Sequence, residues 1–268
     1  MPASADSPSW VDRLAACNPP VLRASAHALA AWARRRDEAD AHTIAELALA
    51  DPLLAVRILA AAGRRGTGRF ATPARTVTAA LVHLGIEPFF AAVEGAPVLE
   101  EGLADEPRAL AGALRELARS RHSARIAAGF AMHRQDEDVG ALQLAALVHR
   151  VGALQLWHQA PAAALAIREL QSQGLPAQRA QQEVLGLTLP ALSAALLRAW
   201  EVAPALGELA CAQPARSAAQ RTVAVAVRMA DRLESGWSHP ALVADLAEAG
   251  VLLNVAPRAV AQLVRHVS

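Results

Sequence analysis

From its start the chain reads as short blocks of apolar residues at helical spacing, each opened by a capping residue and closed by glycine or proline. After Asp51, the positions Leu54, Ile58 and Ala62 fall on one helical face, with Arg57 to one side. Ser7-Pro8 and Asp51-Pro52 each place a capping side chain ahead of a proline at the first helical position. Thr43 and Glu46 have the spacing of a capping box in front of Leu47–Leu49. Gly63 is expected to stop the helix that begins at Pro52, leaving RRGTGRFATP as a loop. Thr76 to Leu84 reads as a further helix with Gly85 at its C-cap. Five or six short helices therefore fill residues 7–95.

The segment GAPVLEEGLADEP, residues 95–107, gathers glycines, prolines and acids and reads as a boundary. From Pro107 a long helical pattern runs to about Arg134, and QDED follows as a turn. A helix over Val139–Arg150 is apolar on all sides and so is expected to be buried. Further helices follow near 160–173, 176–185, 189–200, 204–212, 216–235, 240–249 and 256–266, many of them opened by prolines such as Pro161, Pro190 and Pro257. No strand is evident and no period of 20–50 residues repeats. The glycines of GRRGTG at 63–68 follow no strand, so they read as loop glycines rather than a phosphate cradle. The expectation is an all-α fold. It has an N-terminal helical subdomain (1–95), a connecting segment (96–106) and a C-terminal helical bundle (107–268).

Composition sharpens that picture. Alanine and leucine dominate, tyrosine is absent, and 54% of the 268 residues are hydrophobic, which favours helices with a sizeable core. All 26 basic residues are arginine, a bias that base composition can explain. The formal net charge is +1 and the longest basic run is Arg34–Arg36, so no nucleic-acid partner is expected. Cys17 and Cys211 lie far apart without metal-type spacing, which suits a reducing compartment. The opening MPASADSPSW lacks the pattern of a signal peptide, and charged residues interrupt the apolar stretches. A soluble, cytoplasmic protein with no membrane partner is the expectation. Trp32, Trp157 and Trp200 sit in apolar helical context and read as core, whereas Trp10 and Trp237 lie nearer helix ends. Cys211 reads as a small buried hydrophobe. Apart from His122 and His149, the histidines are scattered without paired spacing and read as surface or capping residues.

The segment SRHSARIAAGFAMHRQDEDVGALQLAALVHRVGALQL resembles the core of the HD superfamily of metal-dependent phosphohydrolases, and in particular the HDOD domain, the HD-related output domain of bacterial signalling proteins. The family's Leu-Leu-His-Asp-Ile-Gly stands here as Leu147-Val148-His149-Arg150-Val151-Gly152. ADPLLAVRILAAAG is similar to its Asp-Pro-x-Leu helix, TPARTVTAALVHLG to the helix after it, and VAVRMADRLE to the helix carrying the last superfamily aspartate. Where the family usually has Asn-Ser, this chain has Gly63-Arg64. The resemblance spans about residues 20–235.

Carried over residue by residue, the resemblance implies ligand positions at His122, His149 and Asp231. The aspartate that should follow His149 is Arg150, no histidine stands near Leu189, and Ala212-Gln213 replaces an expected histidine pair. A metal site needs lone-pair donors, and a guanidinium has none. Two unit charges about 4 Å apart at an effective dielectric of about 20 repel by about 4 kcal/mol, and a divalent ion doubles that. The expectation is therefore a non-catalytic output or scaffold protein that needs no cofactor. It would act through contacts with signalling proteins, with a homo-oligomer left open. In one version Arg150 fills the vacated metal volume and pairs with Asp231; in the other it reaches solvent from its helix end. Two alternatives stand beside this. One is a residual metal-dependent phosphohydrolase using His122, His149 and Asp231, and the other is a sensor binding an anionic cyclic nucleotide through Arg64, Arg65 and Arg69.

Overall fold

A computed structural model describes residues 9–36, 39–65 and 74–267. Among these the fold is all helical, with Val21 and Val98 forming one isolated parallel bridge. Six helices lead: α1 (Trp10–Ala15), α2 (Arg23–Trp32), α3 (Ala41–Ala50), α4 (Pro52–Arg65), α5 (Val77–Leu84) and α6 (Ile86–Val93). A single turn, α7 (Leu99–Gly102), precedes the long α8 (Pro107–His133), α9 (Val139–Val148) and α10 (Val151–Gln159). Then come α11 (Pro161–Ser172), α12 (Ala177–Leu185), α13 (Leu189–Ala199), α14 (Pro204–Cys211), α15 (Ala218–Leu233), α16 (Leu242–Leu253) and α17 (Pro257–Val267).

Local chemistry sets several of these boundaries, and not always where the sequence suggests. The expected start at Ser7-Pro8 lies outside the described residues; α1 is opened by Ser9, in a reciprocal capping box with Asp12. The capping box expected at Thr43 and Glu46 does not form. Asp40 caps α3 instead, because its carboxylate, a stronger acceptor than a hydroxyl, takes the His42 and Thr43 N–H groups and the Thr43 hydroxyl. Asp51 behaves as its position before proline implies and does more. One oxygen accepts the N–H groups of Leu53 and Leu54, and the other accepts Leu22 N–H at 2.8 Å, tying the start of α4 to the entry of α2. Burial pushes its carboxyl above the ordinary aspartate range, against the pull of those hydrogen bonds.

Gly63 does not end α4, which continues to Arg65. The glycine is there for proximity, since a Cβ at this position would overlap the carbonyl of Glu201. The helix expected over 139–150 is present and closes two residues early. α9 ends at Val148, Arg150 (φ −99, ψ 10) opens α10, and the unassigned stretch 151–159 is helical. Gly152 follows at once, its N–H donating to Ser193 Oγ at 3.0 Å, with no room for a Cβ against the Ser193 backbone. The break lets α10 turn and lie against α13.

The core is continuous. α4 is buried from Pro52 to Ala62 and packs on α9 and α10 as well as on α3, α5 and α6. Arg57, on this helix, is buried too, and its guanidinium caps the carbonyls of Pro19 and Ala92. α1 crosses to α10 and α13, where Gln155 Nε2 donates to the carbonyls of Leu14 and Cys17 and Trp200 Nε1 to that of Ala15. Trp157 and Trp200 are buried, Trp10 and Trp32 half-buried, and Trp237 is 38% exposed beneath the Arg265 guanidinium. Among the described residues one stretch, Val139–Gln159, is long and apolar enough to cross a membrane by composition, although Arg150 interrupts it. It is two helices, and most of it is buried against its neighbours.

Candidate functional site

Three elements converge around Arg150. α8 is held against α9 by Ser120 and Ser123, whose hydroxyls donate to the carbonyls of Leu147 and Ala146. These bonds place the end of α9 beside the middle of α8. The turn after α9 then swings Arg150 between α8 and α15. Its Nη1 donates to Glu116 Oε2 at 2.9 Å and its Nη2 to Asp231 Oδ1. Glu116 uses its other oxygen for Arg119 Nη1 at 2.8 Å, and Arg119 Nε reaches Glu234 Oε2 at 2.6 Å. The result is a chain of charges, two guanidiniums among three carboxylates, running from the interior to the surface. The Arg150 and Glu116 side chains are 12% and 13% exposed, whereas that of Asp231 is 41% exposed. Burial pulls the Arg150 pKa down, but Asp231 and Glu116 outweigh it and leave the group above its ordinary value.

His149 turns away from this chain of charges. Its Nδ1 lies 2.6 Å from the carbonyl oxygen of Ala210 on α14. A carbonyl only accepts, so Nδ1 carries the proton and the neutral ring holds its lone pair on Nε2. Burial, chiefly, with Arg150 adding to it, lowers the His149 pKa. His122 is half-buried on α8, its pKa lowered by burial and by Arg125. A cavity of about 160 Å³ adjoins the cluster, lined by Glu116, Arg150 and Asp231 together with Trp157, Arg168 and Gln181.

The donor set does not fit the metal that the resemblance implies. Both carboxylates at the centre already hold a guanidinium, which has no lone pair to give an ion. Among the described residues, no group of three or more His, Cys, Asp or Glu side chains is arranged to hold one. Of the positions singled out in the sequence, the structure joins Arg150 to Asp231 and sets His149 close by. The partner that α8 supplies to Arg150 is Glu116, which the sequence reading passed over. A signal was present, since Glu116 is an acid set within the run Ala113, Leu117, Ser120 that α8 buries. Arg64 and Arg65 are exposed on an open depression beside Glu87, and Arg69 lies outside the described residues.

The family model of the HDOD domain matches residues 20–215. No curated protein sequence matches the chain. Among solved structures, the MmoQ response regulator of Methylococcus capsulatus str. Bath is similar with a TM-score of 0.70 and 18% identity, over 93% of this chain and 99% of that one. A virulence factor of Campylobacter jejuni has a TM-score of 0.62 and 18% identity, over 93% of this chain and 89% of its own. At such identity the likeness is one of fold.

Proposed function

Because the chain belongs to the HDOD domain family, we propose that it is a non-catalytic signalling output or scaffold protein, acting through contacts with other signalling proteins. One observation carries this reading: the Arg150 guanidinium sits hydrogen-bonded between Glu116 and Asp231, where hydrolysis would need an ion and an activated water. A buried cation hydrogen-bonded to two carboxylates can be tolerated, whereas a divalent ion beside it would be repelled by several kcal/mol, on the order of 8 at about 4 Å. That the Methylococcus relative is a response regulator supports a place in signalling.

The test is elemental analysis of the purified chain, together with phosphomonoesterase and phosphodiesterase assays in added manganese, iron, nickel and zinc. The expected outcome is substoichiometric metal and no phosphate release above buffer. Stoichiometric metal with turnover that is lost in His149→Ala would overturn the proposal and restore the hydrolase alternative.

A further inference from the structure

α16 wears its charges on the inside. Asp245 faces α15 and is 2% exposed, held by Arg228 Nε at 3.0 Å and by Arg232. Glu248, at the edge of the helix, pairs with Arg228 as well. The arc that faces solvent carries Val243, Ala244, Ala247 and Val251, all exposed. At about 100° per residue these four fall within roughly 100° of one another, and no charged residue shares the arc. Val243 is 72% and Val251 77% exposed, more than any other large hydrophobic among the described residues. An amphipathic surface helix is ordinarily built the other way round. Contiguous apolar surface of this kind is characteristic of a face that another molecule covers.

The strip also matches itself. Val243 and Val251 lie four residues to either side of Ala247, about 6 Å along the axis in each direction. A twofold axis through Ala247 would run two copies of α16 antiparallel, with Val243 of each against Val251 of the other. The small alanine at the crossing would let the helices approach closely. Glu248, the acid nearest that axis, is paired with Arg228 of its own chain. We propose that the outer face of α16 is a homodimer contact, its occupant a second copy of this chain. The family match ends at residue 215, so the contact lies in C-terminal helices beyond it. Four residues supply much less than the roughly 800 Å² per partner of a standard interface. The dimer should accordingly be weak and depend on concentration.

Sedimentation velocity from about 1 to 200 µM spans the micromolar affinities in question. The parent chain should pass from monomer to dimer within that range. Val243→Asp and Val251→Asp should each raise the dissociation constant at least about thirtyfold, as loss of a central apolar contact does. Val82→Asp, at the 68% exposed valine of α5, should behave as the parent does. Ala247→Cys gives a readout that does not depend on how the aspartate variants fold: mild oxidation should yield a covalent dimer, whereas Val82→Cys and the parent should not. A parent chain that stays monomeric throughout, aspartate variants that dimerise like the parent, or an Ala247→Cys chain that does not cross-link would overturn the proposal.

Discussion

Gly63 of α4 and Glu201 of the turn after α13 meet backbone to backbone, leaving no space for a Cβ on residue 63. Glu201 holds a left-handed conformation there, φ 60, so the turn has little freedom to retreat. Gly63→Ala sets a helix-propensity gain of about 1 kcal/mol against overpacking of about 1–3 kcal/mol. Because the opposing atom is backbone rather than the end of a flexible side chain, overpacking should win. Urea unfolding should show a net loss of about 1–2 kcal/mol; a gain would mean that the two segments do not touch.

Arg150 and Glu116 should be energetically coupled. Removing one member of a buried ion pair strands the other, at a cost of about 3 kcal/mol or more. Arg150→Met and Glu116→Gln should each destabilise the fold, and the double variant should lose less than the sum by about 1–2 kcal/mol. Asp231→Asn should cost less than Glu116→Gln, since the Asp231 carboxylate is 41% exposed and partly screened by water. Additive losses in the double-mutant cycle would show that Arg150 and Glu116 do not act as a unit.

Acid should weaken the fold before its carboxylates titrate. Burial lowers the pKa values of His122, His149 and His158 in the folded chain. Unfolded histidine titrates near 6.5, so below about pH 6.5 the unfolded chain binds more protons than the folded one. Stability should therefore fall as pH drops from about 6.5 toward the folded values, and hold steady above. His149→Asn should flatten that slope when melting temperature is followed from about pH 7.5 to 5. An unchanged profile would remove His149 as a contributor.

Cys211 should be chemically silent. Burial pushes its thiol up to about 12, so almost no thiolate is present near neutrality. Iodoacetamide at about pH 8 should leave it unmodified in the native chain and label it once the chain is unfolded in guanidinium. Mass spectrometry of the peptide containing Cys211 reads this out; the side chain is only half-buried, so rapid native labelling would contradict the raised thiol pKa.

How much of this was legible follows from how far each interaction reaches along the chain. Helix existence is a local matter of spacing and caps, so Pro107–His133 and most later helices stand close to where the pattern puts them. Asp51-Pro52 is likewise readable from two adjacent residues. Apart from Thr43, displaced as a cap by nearby Asp40, the misses depend on residues far away. Gly63 reads as a stop until Glu201, remote in sequence, is seen against it. The break at Arg150 answers to Ser193, and the Arg150–Glu116 pair joins residues 34 apart. Arg150–Asp231 was within reach only because the family resemblance aligned both positions on one ancestral pocket. Glu116 has no such guide: its place on the buried face of α8 marks it as an acid that needs a partner, but not that the partner stands on the turn before α10.

The clamp on α1 has a practical bearing. Gln155 and Trp200 spend their polar hydrogens on the carbonyls of Leu14, Ala15 and Cys17, all upstream of residue 20. Asp231, the outer anchor of Arg150, lies downstream of residue 215. Trimming the polypeptide to the stretch that defines its family would orphan an indole N–H and an amide at one end and leave the Arg150 guanidinium with Glu116 alone at the other. The smallest portion able to stand alone should therefore reach past both edges of that stretch.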